Sequence, residues 1–206
     1  MTRALLVIDV QESFRQGPLW PAISNPGIAS DAGRLVDGAR ANGDLIVWVL
    51  HSEPGSGTAF DPAGGHVRYI DPLKPQAGEP QLTKTSHNAF TTTNLQQILT
   101  RRGITEVVIC GIRTEQCCET TARVASDLGY RVTFVTEATA TNPIPHRDAP
   151  EGQTVEQLLA DPRTLPVSAV IERTEYALAG RFATIATIAD VLGRAAGMAA
   201  EAAAVG

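Results

Sequence analysis

The chain has 206 residues, of which 43% are hydrophobic, and its formal net charge is -5 at pH 7. This length and apolar content predict one globular domain over residues 1–206. The charges are scattered without a basic stripe, which argues against nucleic acid and anionic membranes as partners and favours a small molecule. Three cysteines, two of them adjacent, do not make a disulfide framework, so we expect a reducing cytoplasm. No apolar stretch is long enough to span a bilayer.

Short β-branched runs alternate with helical patterns from the N-terminus onward, which predicts βαβ units and an α/β fold with a parallel sheet. The first strand is predicted over residues 4–10, where Asp9 interrupts the apolar run and argues against a signal peptide. A helix is predicted over 30–40 and a second strand over 45–50. Residues 51–80 are rich in Gly, Pro and Asp and are predicted to form a long loop.

The middle of the chain continues the alternation. Thr93 is predicted to cap a helix that ends at Gly103. A strand over 107–110 follows it. The next helix is predicted to begin at Thr114 as its N-cap and to reach residue 128.

The last part of the chain is less regular. A strand is predicted over residues 132–135. Residues 167–171 have a strand-like composition, but apolar residues recur at helical spacing over 170–178 and predict a helix there. The final strand is predicted over 182–185 and the final helix over 188–199.

Three residues with complementary chemistry follow predicted strands. Asp9 ends the first strand, Lys84 follows a strand-like run, and Cys117 falls in the first turn of the helix that begins at Thr114. Ligands bind at the carboxyl ends of strands in open parallel sheets, so a carboxylate, an amine and a thiol are expected to meet in one cleft. Free amides and the positive end of the helix dipole are expected to lower the pKa of Cys117 and favour the thiolate.

Each of these residues also has a purely structural interpretation. Cys117 could be a packing residue, as Cys110 and Cys118 are expected to be, and Lys84 could be a solvated loop residue. Asp9 could be a turn acid, but an unpaired carboxylate after so apolar a strand would be costly to bury. That cost favours a functional role for Asp9.

Three short motifs occur in a fixed order along the chain. They are Asp-x-Gln-x-x-Phe after the first strand, a lysine ahead of Ala-Phe, and Gly-x-x-Thr-x-x-Cys-x-x-x-Thr. The matching residues are Asp9, Gln11, Phe14, Lys84, Ala89, Phe90, Thr93, Leu95, Gly111, Thr114, Cys117 and Thr121. Together these motifs resemble those of the isochorismatase-like cysteine hydrolases, which include nicotinamidases and N-carbamoylsarcosine amidases.

The resemblance implies a three-layer Rossmann-like fold and a Cys-Asp-Lys triad that hydrolyses small amide, carbamoyl or lactam substrates. Cys117 would attack a carbonyl carbon, Asp9 would take the thiol proton, and Lys84 would orient and stabilise the charges. A cis peptide between Ile112 and Arg113 would precede the helix, and the backbone amides of Arg113 and Cys117 would form the oxyanion hole. The resemblance also implies a homodimer or a homotetramer and no cofactor. It leaves open whether the Arg113 side chain, where relatives have a small residue, faces the cleft.

The candidate substrate-binding residues are Gln11, Phe14, His51 and Phe90, which lie in predicted loops or at strand ends. Aromatic residues in loops are just as often anchors for those loops. His51, Glu53 and His66 are potential metal ligands, but their spacing matches no tight template, and we predict no metal.

Other functions are less consistent with the residues. Isochorismatase-type ether hydrolases resemble this chain but lack the cysteine. A nucleotide-binding protein would need glycine after the first strand, and a phosphatase with an aspartate nucleophile would need a second acid where Gln11 stands. A non-catalytic binding protein that retains the triad by descent is the remaining alternative.

Overall fold

A computed structural model of the chain describes residues 2–193. Its centre is a sheet of six parallel strands in the order β3-β2-β1-β4-β5-β6. The strands are β1 Arg3–Ile8, β2 Leu45–His51, β3 Gln81–Lys84, β4 Glu106–Ile112, β5 Arg131–Ala140 and β6 Thr184–Ala186. The order reverses between β1 and β4, which makes their carboxyl ends the expected place for a ligand.

Helices cover both faces of this sheet. They are α1 Glu12–Arg15, α2 Ile28–Ala41, α3 Leu95–Arg101, α4 Glu119–Asp127, α5 Val155–Ala160 and α6 Val167–Leu178. On one face, the apolar side of α2 packs on Leu5 and Val7 of β1, and on the other, α3 and α4 pack on Leu6 and Ile8. Both faces of β1 are therefore buried, as its continuous apolar run predicts. The predicted three-layer α/β fold with a parallel sheet is confirmed.

The predicted helix over 170–178 is confirmed as α6, but two predicted strands differ from the structure. The strand predicted over 132–135 extends to Ala140 because its register against β4 shifts: β5 advances five positions, from Phe134 to Thr139, while β4 advances two, from Ile109 to Gly111. This bulge carries the strand past polar residues that appeared to end it. The final strand is displaced to Thr184–Ala186.

The N-terminal ends of three helices differ from the sequence prediction. Thr114 was predicted as an N-cap, but Arg113 occupies that position, and the Thr114 hydroxyl donates instead to Thr139 Oγ1 at 2.8 Å. Thr154 caps α5 in a capping box with Gln157, a Thr-x-x-Gln signal that the sequence carries. Asn94, and not Thr93 as predicted, is the N-cap of α3, although the Thr93 hydroxyl accepts the backbone N–H of Leu95 at 3.1 Å from one residue earlier.

The predicted final helix is helical over residues 188–193, and its remainder lies outside the described residues. Within residues 2–193, no helix has the length and apolar character needed to cross a membrane.

Candidate active site

Asp9 leaves β1 in a backbone conformation that directs its side chain into the sheet's carboxyl edge. Its φ is 53°, which is uncommon for a residue other than glycine, and its N–H donates to the carbonyl of Val49 on β2 at 2.9 Å. The residue is completely buried. A strained backbone at a buried carboxylate is typical of a functional site.

Gly111 allows β4 to approach β1 directly beside Asp9. It pairs with Ile8, its φ is +136°, and a Cβ atom there would lie 1.9 Å from the Ile8 carbonyl oxygen. Only glycine fits both this backbone conformation and this separation. The glycine at the start of the third motif therefore sets the distance between the strand that ends in Asp9 and the strand that leads to Cys117.

Cys117 lies in a π-helical turn, Thr114–Cys118, that runs directly into α4. The peptide bond between Ile112 and Arg113 is cis, as expected, and the Arg113 carbonyl accepts the N–H of Cys118 at 3.1 Å. Thr121 connects the Cys117 backbone to the segment after β3: its hydroxyl donates to the Cys117 carbonyl at 2.6 Å and accepts the N–H of Ala89 at 3.1 Å. π-helical turns are frequent at functional sites.

Lys84, the last residue of β3, connects the other two side chains. Its Nζ lies 2.7 Å from Asp9 Oδ2 and donates to Cys117 Sγ at 3.4 Å, and neither Lys84 nor Asp9 has any solvent-exposed side-chain surface. A fully buried lysine is costly unless it is paired. The structure thus brings together the three residues predicted from the sequence.

Burial dominates the electrostatics of this cluster. It raises the pKa of Asp9, although the positive charge of Lys84 acts in the opposite direction. Burial, assisted by the negative charge of Asp9, also raises the pKa of Cys117 to about 12. Burial therefore acts against the thiolate that the helix N-terminus is expected to favour. The raised pKa favours the thiol form of Cys117 next to the Asp9 carboxyl group.

We therefore expect the rate of Cys117 alkylation by iodoacetamide to rise with pH without a plateau below about pH 10. The rate constant would be measured by peptide mass spectrometry, which separates Cys117 from Cys110 and Cys118. A plateau near neutral pH would show instead that the thiolate is the resting form.

His51 extends the cluster toward solvent. Its Nδ1 accepts from Lys84 Nζ at 3.4 Å, and burial and the Lys84 charge lower its pKa. Gln11 fixes the backbone of His51: Gln11 Oε1 accepts the His51 N–H at 2.7 Å, and Gln11 Nε2 donates to the His51 carbonyl at 3.0 Å and to Ser13 Oγ at 2.9 Å. Both amide donors of Gln11 are engaged, so its side chain positions His51 and is not free for a substrate.

A series of side-chain contacts connects His51 to Arg113. His51 meets the Phe60 ring edge-on at 5.7 Å, Phe60 meets Phe14 at 4.9 Å, and the Arg113 guanidinium lies 5.9 Å from the Phe14 ring. We call these four residues, His51, Phe60, Phe14 and Arg113, the rim. The rim begins beside Lys84 and ends at Arg113, which precedes the π-helical turn that carries Cys117.

Phe90 does not belong to the rim, which corrects its candidate role in substrate binding. It is buried in the apolar layer beneath α3 and α4, and its ring stacks on Tyr130 at 6.2 Å. Tyr130 precedes β5 and so lies at the opposite end of the sheet from the triad. An aromatic residue after a strand was an ambiguous signal, and here it is an anchor.

Threonines at the end of β5 form hydrogen bonds to the π-helical turn. The sequence analysis did not predict this role. Thr139 accepts from Thr114 and donates to the Thr136 carbonyl at 2.8 Å, and Thr141 donates to Glu115 Oε2 at 2.5 Å. The available signal was a threonine at every second or third position after an apolar strand. As for metals, no three His, Cys, Asp or Glu side chains within residues 2–193 are grouped to hold an ion.

The family model for the isochorismatase domain matches residues 3–167 of this chain. The chain belongs to the isochorismatase family. A relative named streptothricin hydrolase, from Streptomyces noursei, is 37% identical over 145 residues, which is 69% of this chain and 56% of that protein. A relative named nicotinamidase 3, from Arabidopsis thaliana, is 46% identical over 151 residues, covering 67% of this chain and 73% of that protein.

Solved structures of isochorismatase-family proteins share the fold. One from Chromobacterium violaceum superposes with a TM-score of 0.83 at 22% identity, covering 95% of this chain and 94% of that one. The three motifs that suggested the family lie inside the matched region.

Proposed function

We propose that this isochorismatase-family chain is a cysteine hydrolase that cleaves the C–N bond of a small amide, carbamoyl or lactam substrate through a thioester. The observation that carries the proposal is the position of Lys84 Nζ, 2.7 Å from Asp9 Oδ2 and 3.4 Å from Cys117 Sγ, in a buried cluster. A thiol with a raised pKa needs a base at hand, and Asp9 is the carboxylate beside it.

The first half of the reaction forms the thioester. Cys117 Sγ attacks the carbonyl carbon while its proton passes to Asp9, and the backbone amides of Arg113 and Cys117 stabilise the oxyanion. Asp9 then returns the proton to the amine nitrogen, the C–N bond breaks, and the amine leaves. Lys84 stabilises the charge on Asp9 and on the sulfur as each one develops.

The second half regenerates the thiol. Asp9 removes a proton from a water molecule, the hydroxide attacks the thioester carbonyl, and the C–S bond breaks. The proton on Asp9 returns to sulfur and the carboxylic acid is released. Each of the two barriers is lower than that of direct amide hydrolysis.

The relatives support an amide substrate. A nicotinamidase acts, by its name, on the amide nicotinamide, and 46% identity to it over 151 residues favours amide chemistry here. The rim adds aromatic side chains that connect through His51 to Lys84, which suits a small, partly apolar acyl group.

The test is hydrolysis of a panel of small primary amides, carbamoyl compounds and lactams by the wild type, Cys117→Ser and Cys110→Ser. We expect ammonia or amine release that is lost in Cys117→Ser and retained in Cys110→Ser. Rapid quenching should also trap an acyl adduct on the Cys117 peptide. Turnover that survives in Cys117→Ser would contradict the proposal, as would hydrolysis of a vinyl ether with no amide hydrolysed.

A further inference from the structure

Arg113 has no charged partner although its side chain is partly buried. No Asp or Glu within residues 2–193 lies at ion-pair distance from its guanidinium, and Nε is buried without a hydrogen-bond partner among those residues. The neighbouring Glu115 is not at ion-pair distance either: its Oε2 accepts from Thr141, and its Oε1 is buried without a hydrogen-bond partner among those residues. A buried donor that lacks an acceptor costs free energy, so an acceptor supplied by a ligand would be favoured there.

The location of this guanidinium links it to the reaction site. Its backbone precedes the turn that carries Cys117, and its Cζ lies 5.9 Å from the Phe14 ring on the rim. The rim connects Phe14 through Phe60 and His51 to Lys84. Arg113 and Lys84 therefore stand at the two ends of one continuous wall. Lys84 is already paired with Asp9. Of these two cations, Arg113 is therefore the one with an unpartnered donor among residues 2–193.

The chemistry of the free donors suggests which group they would bind. The Nε–H and one Nη–H of an arginine form a fork that matches the two oxygens of a carboxylate, and such charge-assisted pairs are among the strongest hydrogen bonds. A neutral amide or an apolar group would use only part of this fork. On the protein surface, the Nε–H of an arginine would donate to water. In Arg113 this N–H is buried and has no acceptor among residues 2–193.

We propose that Arg113 is a specificity-determining residue that selects substrates with a carboxylate close to the scissile amide, such as monoamides of dicarboxylic acids. This inference rests on the proposed function for its substrate class. In this arrangement the carboxylate binds Arg113, the apolar spacer contacts Phe14 and Phe60, and the amide carbonyl lies over Cys117 Sγ.

The first test does not depend on hydrolysis. Iodoacetate and iodoacetamide have nearly the same size and alkylate a cysteine by the same displacement of iodide, but only iodoacetate is anionic. We expect the ratio of their rate constants at Cys117, iodoacetate over iodoacetamide, to fall about tenfold or more in Arg113→Gln. Arg131→Gln removes the same charge at the opposite end of the sheet and should leave the ratio within twofold of wild type.

The second test uses succinamic acid and butanamide, which share an amide and two methylene groups and differ in that succinamic acid has a carboxylate where butanamide has a methyl group. The ratio of kcat/KM for succinamic acid over butanamide should fall about tenfold or more in Arg113→Gln, mainly through KM, and stay the same in Arg131→Gln. Circular dichroism would confirm that both variants are folded.

The outcomes separate the two proposals. If wild type hydrolyses amides but both ratios are unchanged in Arg113→Gln, the role of Arg113 is overturned and the hydrolase function stands. If the alkylation ratio falls but no amide is hydrolysed, Arg113 recognises anions and the proposed reaction is wrong. A ratio that falls equally in Arg131→Gln would show that net charge, and not Arg113, attracts the anion.

Discussion

Asp9→Asn is expected to reduce amide turnover about a thousandfold while making Cys117 easier to alkylate near neutral pH. The two effects have opposite signs because Asp9 has two influences on one thiol. As a base it accepts the thiol proton during attack, which asparagine cannot do. As a buried negative charge it raises the pKa of Cys117, and its removal leaves the ammonium of Lys84 alone to stabilise the thiolate.

The measurement compares kcat/KM for an accepted amide with the rate constant for iodoacetamide at Cys117, in wild type and in Asp9→Asn. Asp44→Asn is a matched control, because Asp44 is also a largely buried carboxylate paired with a cation, Arg3, but at the amino end of the sheet. It should leave both quantities within about twofold of wild type. If Asp9→Asn slowed alkylation and turnover alike, Asp9 would instead be needed to form the thiolate.

The same carboxylate sets the acid limit of activity. Burial raises the pKa of Asp9 above 3.8, so Asp9 becomes protonated, and unable to act as a base, at a higher pH than an exposed aspartate. The acid limb of the pH profile of kcat/KM should therefore lie above pH 3.8 and should be absent from the residual activity of Asp9→Asn.

Gly111→Ala is expected to destabilise the fold by about 4 kcal/mol or more and to abolish turnover. The new Cβ would lie 1.9 Å from the Ile8 carbonyl oxygen and 2.9 Å from the Ile8 nitrogen, and both are backbone atoms of a central strand. They cannot move without separating β1 from β4. That separation would also displace Asp9, which follows Ile8, relative to Cys117.

Gly43→Ala provides the matched control for this effect. Gly43 also has a positive φ, +70°, but no described atom lies within 4 Å of the position of its Cβ. Its substitution should cost only the backbone conformational energy, about 1 to 2 kcal/mol, and leave kcat/KM unchanged. Urea unfolding gives both free energies. Equal losses in the two variants would mean that the close approach at Gly111 contributes nothing.

Much of this fold was predictable because its signals are local. The continuous apolar run before Asp9 indicates a strand buried on both faces, and the helical spacing over 170–178 correctly outweighed a strand-like composition. The grouping of Asp9, Lys84 and Cys117 was predictable for a related reason: each lies at or after the carboxyl end of a strand, and in a parallel sheet these ends share one edge.

What could not be predicted depends on tertiary contacts. The length of β5 depends on a bulge against β4 that no periodicity reveals. The pKa of Cys117 depends on how much water the fold removes from it, and a helix position alone does not indicate that. Phe90 and Phe14 look equivalent in the sequence, yet one ring packs in the core and the other lies on the rim.

The strand order also makes the length of the Lys84 side chain a requirement. Among residues 2–193, β3 is an edge strand whose neighbour in the sheet is β2. The Lys84 side chain must therefore cross the carboxyl end of β2 to reach Asp9, which follows β1. Neighbouring strands lie about 4.8 Å apart, so this span is about twice that distance between the backbones. The Lys84 amine thus links β3, an edge strand of four residues, to Asp9 at the end of the central strand β1. The ion pair that supports the proposed chemistry therefore also joins the edge strand to the centre of the sheet.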